Sequence, residues 1–192
     1  MHDIDGLVAD FVYEFTSLAN GLFPEKVILP HGCLAAQEWG FKSILSNSEV
    51  DKVWKVIYSS DSFWKTITPM FTRADSTALW RIADKHELFW VTSRSGKDAI
   101  EQTRFWLRDQ ALPNWDNAVL AGENKSDYIQ SHHFDVIIDD SPTQIERMAK
   151  YAAATNQLIV IRDTPYNRHL NEFNRVYSIA EFEVFLDECD KG

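Results

Sequence analysis

The first six residues, Met1-His2-Asp3-Ile4-Asp5-Gly6, set two carboxylates two positions apart and close them with a glycine. If Asp3 and Asp5 end a strand, alternate side chains share one face, so both acids turn to the same side while Gly6 lets the chain bend away. That geometry suits a divalent cation and a phosphate. A calcium loop of the EF-hand type also opens D-x-D, but it needs a further oxygen ligand and a later Glu, and Leu7 stands in the wrong place. Taken alone, the pair reads as a solvated acidic turn before it reads as a site.

Three more groups change that reading. Thr92-Ser93-Arg94 follows one apolar run, Asp139-Asp140-Ser141-Pro142 follows another, and Lys125 lies between the runs at 118–121 and 134–138. Two acids, a hydroxyl, a lysine and two further acids form a complete set for phosphoryl transfer. A carboxylate can attack phosphorus to give an acyl phosphate that water then hydrolyses, and Asp3 is that nucleophile. A second carboxyl two residues on, Asp5, can protonate the leaving oxygen and afterwards deprotonate the water. Anions crowded around a phosphate require a hard cation with oxygen ligands, and Mg2+ is the usual one. Asp140, supported by Asp139, completes its shell beside Asp3 and the Asp5 carbonyl. The Thr92 hydroxyl and neighbouring N–H groups hold phosphate oxygens, and Lys125 offsets charge on the phosphate and on Asp3. Each piece also has a plainer reading: a helix cap for Thr92 or Ser93, a solvated lysine for Lys125, an acidic strand-to-helix turn for Asp139-Asp140. The joint order and the shared edge favour the site.

The elements that must carry these groups follow from periodicity. Leu7, Phe11, Phe15 and Leu18 recur at helical spacing, and Asn20-Gly21 ends that helix. From Leu22 to about Thr72 short helices are expected: one through Leu34–Trp39, one opened by the capping box Ser46-x-x-Glu49, and an apolar face from Phe63, Trp64, Ile67 and Phe71. From Asp75 helices alternate with short apolar strands at 88–91, 118–121, 134–138 and 157–161, with Ser141-x-x-Gln144 and Pro142 opening one helix and Ser178-x-x-Glu181 the last. Short apolar strands separated by helices imply a parallel sheet covered on both faces, with its ligand at the carboxyl ends of the strands.

Bulk properties agree. The 192 residues allow one large domain or a core with an insertion, 45% hydrophobic and 13% aromatic content excludes disorder, and a net charge of −10 argues against a polynucleotide partner. Seven Trp and twelve Phe need a thick core or a ligand to stack on. Cys33 and Cys189 form no CxxC pair, no run reaches membrane length, and no signal pattern opens the chain, so a reduced cytoplasmic protein is expected. His132-His133 reads as a polar turn, since adjacent side chains diverge and no third ligand is spaced to join them.

The ordered set Asp3-Ile4-Asp5-Gly6, Val91-Thr92-Ser93, Lys125 and Ile137-Ile138-Asp139-Asp140-Ser141-Pro142 resembles the four motifs of the haloacid dehalogenase superfamily of phosphatases. More narrowly, Asp3 to Phe11, Thr164-Pro165-Tyr166-Asn167 and Arg175-Val176-Tyr177-Ser178 are similar to the 5'(3')-deoxyribonucleotidases. The resemblance implies a Rossmann-like three-layer αβα core, 1–16 and 73–192, with an inserted helical cap of the C1 type at 17–72. It implies Mg2+ dependence and hydrolysis of a nucleoside monophosphate, with the roles above falling on Asp3, Asp5, Thr92, Lys125 and Asp140. Phe11 matches an aromatic position bordering the base pocket, and Ser93 and Arg94 fall beside the substrate. Phe63 and Trp64 lie where cap aromatics are expected, although helix packing is the commoner use of such residues. A homodimer is admissible.

Two departures stand out. Only Met1 and His2 precede Asp3, so the central strand is unusually short or the native chain is longer. Arg94 stands where the resembled family often has proline; it can reach phosphate or sugar, or pair with an acid on the surface, and the surface pair is the reading preferred here. Alternatives are another small phosphomonoester such as a sugar phosphate, a nucleotide-binding protein without turnover, and a polynucleotide end-phosphatase.

Overall fold

A computed structural model describes residues 1–26, 28 and 44–191. The expected helix at 34–39 and Cys33 lie outside the described residues. In chain order the elements are α1 (Phe11–Leu22), α2 (Asn47–Ser59), α3 (Arg73–Lys85), β1 (Val91–Thr92), α4 (Ala99–Asp109), β2 (Val119–Leu120), α5 (Lys125–Ser131), β3 (Val136–Asp139), α6 (Pro142–Thr155), β4 (Leu158–Arg162), β5 (Asn174–Val176) and α7 (Ile179–Cys189). Short 3-10 turns sit at Phe63–Lys65, Trp115–Asn117 and Pro165–Asn167.

All strand pairings are parallel: β1 with β2, β3 with β4, and β4 with β5. The amino-terminal segment joins the two groups, because His2 bridges Trp90 on one side and Ile138 on the other. His2 N–H donates to Phe89 O at 2.8 Å and Val91 N–H to His2 O at 2.8 Å; Asp3 N–H donates to Ile138 O and Ile138 N–H to Met1 O, both at 3.0 Å. The order across the sheet is therefore β2, β1, Met1–Asp3, β3, β4, β5. Asp3 is seated because backbone groups on both sides bond the segment Met1–Asp3.

Side chains alternate across this sheet as strand geometry requires. Ile137, Ile159 and Ile161 pack with Ile129 of α5 and Ile145 and Met148 of α6, while Ile138 and Val160 pack with Phe15, Leu79 and Phe182 of α1, α3 and α7. Helices thus cover both faces, giving a mixed α/β architecture with parallel strands, consistent with a Rossmann-like core.

Several boundaries differ from expectation. The strand expected at 88–91 reduces to Val91–Thr92, because Trp90 makes one isolated bridge and gives its indole N–H to Pro113 O at 2.9 Å. The helix expected to stop at Asn20-Gly21 runs to Leu22, with Asn20 instead accepting from Ile28 N–H and donating to Ile28 O, each at 2.9 Å. β5 was not anticipated, since Asn174-Arg175-Val176 has no apolar run to mark it. The capping residues behave as expected: Ser46 N–H donates to Glu49 at 2.7 Å, and Ser178 Oγ accepts from Glu181 N–H at 3.0 Å.

Between α1 and α3 the described residues contain only α2 and one 3-10 turn. The chain returns toward the sheet beside its point of departure: Asp10 N–H donates to Thr68 O at 2.8 Å and Met70 N–H to Val8 O at 2.9 Å.

Candidate active site

After Asp3 the backbone turns sharply. Ile4 O accepts from Val8 and Ala9 at 2.9 and 3.0 Å, and Gly6 takes a positive φ of 79° that few side chains tolerate. The turn also needs a hydrogen at Gly6: a Cβ there would lie 2.0 Å from Asp140 Oδ2. Gly6 therefore brings the ends of the central segment and of β3 together.

Asp3 is 5% exposed and takes the Ile4 N–H on Oδ1 at 2.7 Å. Lys125, the first residue of α5, is held in place where α5 packs on α6. Its ammonium bridges Asp3 Oδ1 at 2.6 Å and Asp139 Oδ2 at 2.7 Å. Burial works against a charged lysine, but the carboxylates of Asp139 and Asp3 outweigh it and raise its pKa above the ordinary lysine value. Burial likewise raises Asp3 to about 7 against the pull of Lys125, with the charges of Asp139 and Asp5 adding to the rise. Asp140 is raised well above the usual carboxylate range, chiefly by burial and then by the anions of Asp3 and Asp139.

Ligand oxygens of Asp3, Asp139 and Asp140 all lie within 4.8 Å of one another. Asp139 is already committed, taking Lys125 on one oxygen and Ser141 N–H on the other at 2.9 Å. Asp140 is held from a loop that the sequence reading quoted but gave no role. The Tyr166 hydroxyl donates to Asp140 Oδ2, and Asn167 Nδ2 donates to Asp140 O at 2.8 Å and Arg162 O at 2.7 Å. Asn167 Oδ1 accepts from Thr164 N–H and from Arg175, which also pairs with Asp163 at 3.0 Å. The available signal was Thr164-Pro165-x-Asn167, a capping pattern directly after an apolar strand at the same sheet edge.

Asp5 turns to other partners. Arg94 Nε donates to its Oδ2 and Nη2 to its Oδ1, both at 2.9 Å, and the Thr92 hydroxyl lies 3.4 Å from Oδ2. This corrects the surface pairing preferred for Arg94: its side chain is 0% exposed, with its guanidinium carbon 5.0 Å from the Trp64 ring and 5.5 Å from that of Trp106. The preference failed because aromatic faces and a carboxylate replace the water that the cation gives up. Ser93 Oγ is buried and lacks a hydrogen-bond partner among the described residues.

The aromatic residues cluster. Phe11 stacks on Trp54 and Trp64 at centroid distances of 5.6 and 5.8 Å, and the half-buried Phe63 meets Trp64 edge-on at 5.0 Å. Trp64 is buried and gives its indole N–H to Ser95 O at 2.9 Å. The structure thus brings Asp3, Lys125, Asp139 and Asp140 into one cluster and Asp5, Thr92 and Arg94 into a second that abuts it. Phe11, Phe63 and Trp64 belong to the packing beside α2. His132 stacks on Tyr128 of its own helix, in keeping with a polar turn.

A cluster of this kind can transfer an acyl or phosphoryl group, and comparison with known proteins narrows the class. A protein of Oceanobacillus iheyensis provisionally named a nucleotidase is 30% identical over 141 residues, covering 72% of this chain and 71% of its own. One of Halalkalibacterium halodurans, similarly named, is 27% identical over 141 residues, covering 68% and 70%. The family model described as 5' nucleotidase, deoxy (pyrimidine), cytosolic type C protein matches residues 1–188. The match spans every element of the sheet and all four motif groups, so the chain belongs to that family of the haloacid dehalogenase superfamily and is a phosphoric monoester hydrolase of the 5'-nucleotidase type.

Proposed function

We propose that this protein is a Mg2+-dependent phosphomonoesterase that converts (deoxy)ribonucleoside monophosphates to nucleoside and phosphate through an aspartyl-phosphate on Asp3. The observation that carries the reading is the Lys125 ammonium bridging Asp3 and Asp139 beside Asp140, a buried cationic contact aimed at one nucleophilic carboxylate. The donor set suits a hard dication: the acids are buried and crowded, and burial together with the neighbouring anions lifts Asp3 and Asp140, so added positive charge returns both to carboxylates. Asp3 and Asp140, with the Asp5 carbonyl, would hold it, while Asp139 is engaged by Lys125. Such an ion, when bound, neutralises phosphate charge and orients the ester.

The residues then divide the work. An Asp3 oxygen forms a bond to phosphorus as the bond to the nucleoside oxygen breaks, and Asp5 gives that oxygen its proton. Asp5, now a carboxylate, takes a proton from water, whose oxygen attacks phosphorus and returns Asp3 as a carboxylate. Lys125 holds charge on the phosphoryl oxygens and on Asp3, and Thr92, with the unpaired Ser93 hydroxyl, donates to phosphate oxygens. Residues 17–72 are the cap insertion, with Phe11 and Phe63 bordering the base and Trp64 behind them; the enzyme works in the cytoplasm.

The test is phosphate release across ribo- and deoxyribonucleoside monophosphates and sugar phosphates, with and without Mg2+. Nucleotides should be hydrolysed only with the metal, and Asp3→Asn should abolish turnover. Rapid hydrolysis of sugar phosphates with nucleotides untouched, or a fully active Asp3→Asn enzyme, would refute the reading.

A further inference from the structure

Arg94 is the cation whose placement the mechanism above does not use. A substrate-binding arginine must present donors to the substrate, yet each guanidinium nitrogen of this one already has a side-chain oxygen beside it. Its Nε and Nη2 form a two-pronged contact with Asp5, its Nη1 lies 3.5 Å from the Thr103 hydroxyl, and the rings of Trp64 and Trp106 pack beside its plane. The side chain is fully buried, while Asp5 retains 21% exposure. The fixed partner is the arginine, and the partner that reaches solvent is the acid.

The surroundings make the arginine rigid. Its backbone N–H donates to Thr92 Oγ1 at 3.2 Å, Trp106 is anchored by its indole N–H on Ile67 O at 2.7 Å, and Trp64 by its own on Ser95 O. Trp64 lies between α2 and α3, whereas Trp106 lies on α4, so the clamp draws on the segment before α3 and on the helix after β1. Asp5, by contrast, sits in a turn, and among the described residues its carboxylate contacts are with the side chains of Arg94 and Thr92. A bidentate guanidinium fixes both the position and the plane of a carboxylate, which a single lysine contact does not.

We propose that Arg94 is a positioning residue for Asp5, aiming the proton-transferring carboxyl at the leaving oxygen, and that it does not itself bind the substrate. This rests on the assignment of Asp5 as acid and base made above. The consequence is dependence on the leaving group. A nucleoside alkoxide departs only with a proton, so misaiming Asp5 slows the first step; p-nitrophenolate is a stable anion and departs without one. The ratio kcat/KM reports steps up to the first irreversible one, which isolates that difference from the later attack of water.

The experiment measures kcat/KM for wild type, Arg94→Met, Arg94→Lys, Asp5→Asn and the Arg94→Met/Asp5→Asn double variant. Substrates are the nucleoside monophosphate hydrolysed best in the panel and p-nitrophenyl phosphate. Arg94→Met should lower the nucleotide value by about 100-fold, the scale of a lost proton transfer, and the aryl value far less. Asp5→Asn should show the same selectivity, and the double variant should be no worse than Asp5→Asn, because both remove one function. Arg94→Lys keeps the charge without the fork and should fall between; if Arg94→Met does not fold, this variant carries the comparison. Equal losses on both substrates would mean a structural role only, and a raised KM for both with kcat unchanged would mean direct phosphate binding; either overturns the proposal. A wild-type enzyme that hydrolyses neither substrate overturns the assigned function together with it, so the two failures are distinguishable.

Discussion

At Gly6 the constraint is the width of one hydrogen atom. A methyl group there would lie 2.0 Å from an Asp140 oxygen and sit on a backbone at φ 79°. Gly6→Ala should therefore push Asp140 off its Tyr166 and Asn167 contacts, weaken Mg2+ binding in calorimetric titration, and lower nucleotidase activity in parallel; the strain itself is worth about 1–3 kcal/mol. Lys125 poses the opposite problem, since removing it leaves two buried carboxylates facing each other. Lys125→Met should destabilise the metal-free protein by about 3–5 kcal/mol in urea denaturation, with Mg2+ recovering part of the loss. The candidate residues were legible in the sequence because few residue types can do nucleophilic, cationic or metal-binding work. Partners were not: nothing near Arg94 in the chain announces Asp5, and nothing near Asp140 announces Tyr166, because both contacts form only when separate strand ends meet.

At the scale of elements, caps and packing determine where those ends lie. Asp75 serves two helices at once: Oδ2 accepts from Thr72 N–H at 2.9 Å at the start of α3, and Oδ1 accepts from Ile179 and Ala180 N–H at 2.9 and 3.2 Å at the start of α7. Burial acts to raise its pKa, but the hydrogen bonds from Thr72, Ala180 and Ile179 together outweigh it and hold Asp75 below the ordinary carboxylate range. A carboxyl lowered in this way contributes its full stability above the unfolded pKa and loses it as pH falls through the folded one. Asp75→Asn should thus cost about 1–3 kcal/mol at neutral pH, and the gap from wild type should narrow on acidification below the normal carboxylate pKa, as thermal melts across pH would record. Caps of this sort were readable at Ser46 and Ser178, where the capping residue and its helix adjoin. The second helix on Asp75 was invisible, as was β5, because its place in the sheet comes from pairing with β4 and from no pattern of its own.

Across the whole molecule, the segment before α3 is seated on α4 and on the loop between β1 and α4 that carries Arg94. Gln102, fully buried on α4, accepts from Trp64 N–H at 3.1 Å and donates to Ser60 O and Lys97 O, each at 2.8 Å. Lys97 N–H donates to Tyr58 O at 2.7 Å, and a Cβ on Gly96 would lie 2.5 Å from the Tyr58 Cα. Gln102→Leu should leave those groups without partners, and hydrogen exchange should rise at the Trp64 amide while the amides of β3 and β4 keep their protection. The parallel α/β plan was legible as a whole, since apolar runs alternating with helices admit few other arrangements.

The placement of Met1–Asp3 between β1 and β3 also governs how the molecule comes into being. The segment that carries Asp3 is synthesised before the strands whose backbone groups seat it. Until Ile138 has emerged, Asp3 has a neighbour on at most one side, and Lys125 lacks Asp139, the second carboxylate that its ammonium bridges. Seating Asp3 therefore waits on long-range pairing, and the cluster of Asp3, Lys125, Asp139 and Asp140 cannot assemble before β3 is made. A nascent chain ending before β3 would have every residue of its first motif and no active site.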